Sequence, residues 1–207
     1  FAYNDEQKEI IKVVRDLVEK EIVPYASEMD ETGKLHEGLL EKLAAQGLLG
    51  VAIPEEFGGA GLDAITIAAI YEELGKGCAG VATTVAANAL ASYPVIIAGN
   101  DDQKKRYFDI INEDNLAAFA LTEPGTGSDA GSVSTRAMKT EDGKGYILNG
   151  TKCFITNGAL AEVFVVFANT RKSGGIRGLT AFIVRKGTPG FTVGKAENKM
   201  GIRASNT

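Results

Sequence analysis

The hydrophobic period of this chain changes once, and the change falls at Glu123-Pro124-Gly125. Upstream, apolar residues recur at helical spacing, as Ile10, Val14, Leu17, Val18 and Ile22 do in one stripe. Downstream, short runs rich in β-branched and aromatic residues alternate with turn residues. The break itself follows from residue chemistry: proline fixes φ and cannot donate to a ladder, and glycine permits positive φ. A chain with a single switch of this kind reads as a helical part followed by a strand part. Its 207 residues allow one large or two small domains. The division predicted is a helical N-terminal domain over 1–114 and a β-domain over 115–207, with the boundary near Glu113 to Asn115.

In the first half, the stripe predicts a helix from Asp5 to Pro24, capped by Asn4 or Asp5 and stopped by the proline. A second helix is predicted over Gly38–Gln46, with Gly47 as its C-terminal glycine. Leu48 to Gly61 reads as an irregular connector, and Ala64 to Leu74 as a third helix. Cys78 to Gly99 carries no charged residue and is long enough to cross a bilayer. Thr83, Thr84, Asn88, Ser92, Tyr93, Pro94 and many alanines argue instead for a helix buried in a bundle, and no membrane span is expected. Asp101 to Asn112 reads as the last helix, with two aspartates at its positive end.

In the second half, strands are predicted over Val133–Thr140, Gly145–Leu148, Lys152–Thr156, Glu162–Ala168, Leu179–Arg185 and Phe191–Gly194. Turns are expected at Glu141-Asp142-Gly143, Asn149-Gly150, Asn157-Gly158, Ser173-Gly174-Gly175 and Thr188-Pro189-Gly190. Asn149-Gly150 is a strong hairpin signal, since both residues tolerate positive φ. Short strands at this spacing imply an antiparallel barrel or sandwich.

Charge and residue counts exclude several functions. The net charge is −5 and no basic stripe runs along the chain, so nucleic acid and anionic membranes are poor partners. With His36 as the only histidine, a His-based metal cluster or a catalytic triad is nearly excluded; His36 reads as a surface residue. Cys78 and Cys153 match no metal spacing and read as reduced thiols. No charged segment followed by an apolar one marks a secretory signal. The chain opens on Phe1 and closes abruptly on Ala204-Ser205-Asn206-Thr207, and both ends are expected to be trimmed.

Two clusters carry chemistry. Gly125-Thr126-Gly127-Ser128-Asp129 is small and flexible with two hydroxyls, a turn that can aim backbone N–H groups at an anion such as a phosphate; a glycine-rich turn with no ligand is the competing reading. Gly125, Gly127 and Gly131 are spaced one residue too long for a dinucleotide fingerprint, and strand-like residues follow, which argues against a Rossmann site. The second cluster is Lys152-Cys153-Phe154-Ile155-Thr156-Asn157-Gly158. As a strand it would place Phe154 and Thr156 on one face, an aromatic plate beside a hydroxyl that suits a flat heteroaromatic ligand. Core and surface trim is the plainer reading of such a pair.

Together, Phe119-Ala120-Leu121-Thr122-Glu123-Pro124-Gly125-Thr126-Gly127-Ser128-Asp129 and Asn149-Gly150-Thr151-Lys152-Cys153-Phe154-Ile155-Thr156-Asn157-Gly158 closely resemble the acyl-CoA dehydrogenase family. Pro54-Glu55-Glu56-Phe57-Gly58-Gly59 upstream and Lys199-Met200-Gly201-Ile202-Arg203-Ala204-Ser205-Asn206-Thr207 at the end match in the same order. The resemblance implies a helical N-terminal domain, a middle β-domain of antiparallel barrel-like form, and a C-terminal helical bundle domain that these residues lack. It implies FAD as cofactor, held by Phe119, Ala120, Leu121, Thr122, Gly127 and Ser128 from the first segment and by Phe154, Ile155 and Thr156 from the second. The hydroxyls of Thr122 and Thr156 would meet the flavin edge, Ser128 and its neighbours the pyrophosphate, and Phe154 the isoalloxazine; many members have tryptophan at that last position. Ser128 would also lie where the acyl-CoA thioester end passes.

The implied reaction is α,β-dehydrogenation of an acyl-CoA to trans-2-enoyl-CoA, with electrons passed to an electron-transferring flavoprotein. No catalytic residue is assigned within the chain, because the family's base is a glutamate expected beyond Thr207. The resemblance further implies a homotetramer, placed in the cytoplasm of a bacterium or the mitochondrial matrix of a eukaryote, with a look closest to short-chain or butyryl-type members. An acyl-CoA oxidase reacting with oxygen, and a non-catalytic acyl-CoA- or flavin-binding module, are the alternatives.

Overall fold

The computed structural model describes residues 2–171 and 175–207. The helical part contains α1 (Asp5–Leu17), α2 (Ala26–Thr32), α3 (Leu39–Ala45), α4 (Ala64–Gly77), α5 (Ala79–Ala98) and α6 (Asp101–Ile111). The caps explain the starts. Asn4 and Asn100 each accept from the backbone N–H three residues on, and Gln7 and Gln103 return the bond to the cap N–H. Asp63 caps α4 by accepting from Ile65 and Thr66. Pro24 does not end the first helical run. The backbone loosens into a π-helical turn over Val18–Ile22, tightens into a 3-10 turn over Val23–Tyr25 that seats the proline near its start, and continues as α2. Proline is tolerated there because a first-turn N–H has no helical partner to lose.

The strands are β1 (Ala117–Ala120), β2 (Arg136–Lys139), β3 (Tyr146–Asn149), β4 (Val163–Asn169) and β5 (Leu179–Arg185). A helical part followed by a sheet part is the order expected. The pairing, however, is mixed rather than purely antiparallel. β4 runs parallel to β1, with Ala117 opposite Val163 and Ala120 opposite Val166, and touches β2 in parallel at Asn169–Arg136. β5 lies antiparallel along the whole of β4, and β2 pairs antiparallel with β3. A period-2 pattern sets which face a residue occupies and carries no strand direction, which is why parallel pairing was not visible.

Two predicted strands do not form. Lys152–Thr156 is irregular and so is Phe191–Gly194. Asn149-Gly150 is not a hairpin. The chain reverses instead at Glu141-Asp142-Gly143, where Gly143 has φ +69° and Thr140 N–H reaches Gly145 O at 3.0 Å. Gly150 serves close approach: a Cβ there would overlap the Thr135 side chain. Ser173 and Gly174 of the predicted turn lie outside the described residues.

β4 is buried on both faces, as its unbroken run Val163-Phe164-Val165-Val166 requires. Alternation sorts it between two cores. Phe164 and Val166 join α1, α3, α4 and α5 around Leu43, Ile70, Leu74 and Val85, while Val163 and Val165 face Ile53, Val95, Tyr107 and Phe108. Among the described residues, α5 is the one helix long and apolar enough to cross a membrane. Ten of its residues, from Gly80 to Val95, are buried, and it packs on α4 and β1.

Candidate functional site

The two chemical clusters, 29 residues apart from Glu123 to Lys152, are joined by direct bonds. Lys152 Nζ donates to Leu121 O at 2.9 Å and to Glu123 Oε1 at 2.7 Å, and Cys153 N–H donates to Thr122 O at 3.0 Å. The glycine-rich turn is tight at its base, where Glu123 and Thr126 exchange both backbone bonds at 2.9 and 3.0 Å. Thr126, buried, ties the turn shut through Oγ1 to Ser132 O at 2.9 Å.

Glu123 is the hub. It is 4% exposed and accepts from Ser134 N–H and Oγ–H, from Thr135 N–H and Oγ–H, and from Lys152. Burial alone would raise its pKa, but the Lys152 ammonium and the hydroxyl and amide donors outweigh it and hold the carboxyl well below the usual range. Burial lowers the Lys152 pKa more than Glu123 raises it. An ionised, fully engaged carboxylate fixes geometry and has no lone pair left to act as a base.

The expected site residues sit as follows. Phe119 is half-buried and packs on Phe167, with ring centroids 4.9 Å apart. Ala120 points into the core, so only its backbone is available to a ligand. Leu121 and Thr122 are half-buried, and Gly127 and Ser128 are exposed. Ile155 and Thr156 are half-buried beside Phe154, which is 65% exposed. Among the described residues no hydrogen bond engages the hydroxyls of Thr122, Ser128 or Thr156, or the backbone N–H groups of Gly127 and Ser128. No atom lies within 4 Å of an ideal Cβ on Gly125 or Gly127.

The same-face argument for Phe154 and Thr156 fails with the strand it assumed. Phe154 instead has φ +57°, and Asn157 has φ +64°. A bulky residue in that region is strained by about 1–3 kcal/mol and persists only where its surroundings fix it. Phe154 is held there largely exposed rather than in the core.

Sequence reasoning missed Asn88 and Asn157. Both are fully buried, and they satisfy the two polar groups of one residue at the seam between helices and sheet. Ala117 N–H donates to Asn88 Oδ1 at 2.7 Å, and Ala117 O accepts from Asn157 Nδ2 at 3.1 Å. A lone amide in the uncharged run of α5 was the available signal for Asn88. His36 is half-buried rather than fully exposed, stacked on Tyr25 at 3.6 Å. No group of three or more potential metal ligands occurs among the described residues.

Residues 4–112 match the family described as acyl-CoA dehydrogenase, N-terminal domain, and residues 118–207 match acyl-CoA dehydrogenase, middle domain. An acyl-CoA dehydrogenase of Bacillus subtilis is 44% identical over 204 residues, which cover 98% of this chain and 53% of that protein. The structure of butyryl-CoA dehydrogenase from Megasphaera elsdenii matches with a TM-score of 0.92 at 42% identity, over 100% of this chain and 55% of the other. An acyl-CoA dehydrogenase complexed with FAD from Bacillus anthracis matches with a TM-score of 0.87 at 39% identity, over 99% of this chain and 35% of the other. The chain spans about half the length of the curated relatives it matches.

Proposed function

Because the chain belongs to the acyl-CoA dehydrogenase family, we propose that it supplies the FAD-holding face of an enzyme that converts acyl-CoA thioesters to trans-2-enoyl-CoA and passes electrons to an electron-transferring flavoprotein. One observation carries this reading. The glycine-rich turn and the Phe154–Thr156 segment are held together through bonds at their flanks, the hydroxyls of Thr122, Ser128 and Thr156 and the N–H groups of Gly127 and Ser128 make no hydrogen bond among the described residues, and Phe154 is exposed beside them.

The residues fit FAD by their donor chemistry. The open backbone at Gly127 and Ser128 is the part of the site that would admit a pyrophosphate, since added Cβ bulk at Gly127 would enter open space. Thr122 and Thr156 would supply hydroxyls to the ring edge, and Phe154 would flank the flavin face. Phe119, Leu121 and Ile155 would line the apolar side, with Ala120 contributing backbone alone. Ser128, exposed at the turn, would also meet the thioester end of the substrate. Bound FAD would supply the hydride acceptor, and the protein's part is orientation and exclusion of water.

The proton on the α carbon needs a carboxylate within hydrogen-bond reach. Glu123 is occupied by five donor contacts, and Glu73 is bonded to Arg15 and Lys76. The base in this reading is a glutamate outside these residues. A homotetramer is part of the same proposal.

The test is dye-linked turnover by the protein at its full natural length, saturated with FAD, across a panel from butyryl-CoA to palmitoyl-CoA. Turnover with one or more acyl-CoAs, with little peroxide formed in air, supports the proposal. Rapid peroxide formation would favour the oxidase, and no turnover with any member of the panel would contradict both.

A further inference from the structure

We propose that Asn157 is a positioning residue for the flavin, holding the Phe154–Thr156 segment in its ligand-facing shape by tying it to α5 and β1. The inference rests on the reading that this segment contacts FAD.

Asn157 is fully buried with its backbone at φ +64°. Its Nδ2 donates to Thr84 O of α5 at 3.0 Å and to Ala117 O of β1 at 3.1 Å. Its N–H donates to Asn206 O at 2.8 Å, and its own carbonyl accepts from Leu160 and Ala161 at 2.9 and 2.8 Å. One residue thus joins the helical part, the sheet and the last segment of the chain, immediately after Thr156. On the other side of the segment, Cys153 N–H is bonded to Thr122 O at 3.0 Å. Phe154, strained and largely exposed, stands between these two anchors. A strained conformation needs surroundings that determine it, and here the hydrogen-bonded anchors supply them.

Asn88 provides the control. It is equally buried and grips the same Ala117, through its N–H, but makes no bond to residues 153–157. Loss of either amide strips a buried polar group of its partner and destabilises the fold. Only loss of Asn157 frees the flavin-facing segment.

The experiment compares Asn157→Gly, which keeps the left-handed backbone and removes both side-chain bonds, with Asn88→Ala in the protein at full natural length. FAD dissociation constant, the absorption spectrum of bound flavin and the unfolding midpoint are measured for each. Both variants are expected to lower the midpoint. Asn157→Gly is expected to raise the FAD dissociation constant about tenfold, the equivalent of roughly 1.4 kcal/mol, and to change the flavin spectrum. Asn88→Ala is expected to leave the spectrum as it is and the constant within about twofold. Should Asn157→Gly not fold, Asn157→Ser, which keeps one hydroxyl donor, is judged by the same readouts. Unaltered flavin properties in the Asn157 variant, or equal changes in both variants, overturn the inference while leaving FAD binding in place. A parent protein that binds no FAD overturns the functional reading itself.

Discussion

Lys152 Nζ lies 2.7 Å from Glu123 Oε1, and the two side chains are 11% and 3% exposed. The pair joins the glycine-rich turn to the Phe154 segment, so the shape of the proposed cofactor face depends on a buried ion pair rather than on a shared strand. Such pairs are poor sources of net stability, but they are costly to break from one side.

Lys152→Met is therefore expected to destabilise the protein by about 3–5 kcal/mol, because Glu123 would stay buried and charged without its counter-ion. Adding Glu123→Gln to that variant is expected to recover part of the loss. Urea unfolding midpoints check both, and an unchanged midpoint for Lys152→Met contradicts the role given to the pair.

Acid sensitivity should follow from two depressed carboxylates. Glu73 is brought down to about 2, chiefly by the hydrogen bond from Arg15, and Glu123 is also held low. In the unfolded chain glutamates return to about 4.3. Between the folded and unfolded values the unfolded state binds more protons, so stability rises with pH there. The contribution of Glu73 is complete above about pH 5 and disappears as pH falls through its folded value. Glu73→Gln is expected to unfold more easily than the parent near neutral pH, with the gap closing towards pH 2. A gap of constant size across that range, measured by thermal unfolding, would show that the ion pairs do not carry it.

α1 and α6 were legible with their starts because these are encoded locally, at Asn4–Gln7 and Asn100–Gln103, where a cap and its reciprocal partner lie three residues apart. α2 was not expected, because Pro24 reads as a stop and no side chain caps the start of α2. β4 and β5 were legible because each is a short run rich in β-branched and aromatic residues. The stretch Lys152–Thr156 was not. Cys153, Phe154, Ile155 and Thr156 favour strands by propensity, but the segment lies between the bond of Cys153 to Thr122 and the bonds of Asn157 to Thr84 and Ala117, partners all distant in sequence. The residue types of the candidate site could be read from the chain, while the arrangement that brings them together could not.

Gly127→Val should separate binding from folding. An ideal Cβ at Gly127 meets no atom within 4 Å, and the residue does not have positive φ. The unfolding midpoint of the cofactor-free protein is expected to stay within the range of a benign surface change, about 0.5 kcal/mol. FAD affinity is expected to fall, because the added bulk would occupy the space through which the backbone reaches the pyrophosphate. Calorimetric titration with FAD checks this, and normal affinity in the variant would sink the phosphate-cradle assignment.

The central claim is that the turn at Gly125–Ser128 and the segment at Phe154–Thr156 form one flavin-holding face of an acyl-CoA-oxidising enzyme. Its most direct measurement is the visible spectrum of the purified protein at full natural length, recorded without oxygen before and after an acyl-CoA is added. The account predicts a yellow protein whose flavin absorption bleaches on adding a short-chain substrate such as butyryl-CoA. A protein that is colourless, and stays so when FAD is supplied, would contradict it.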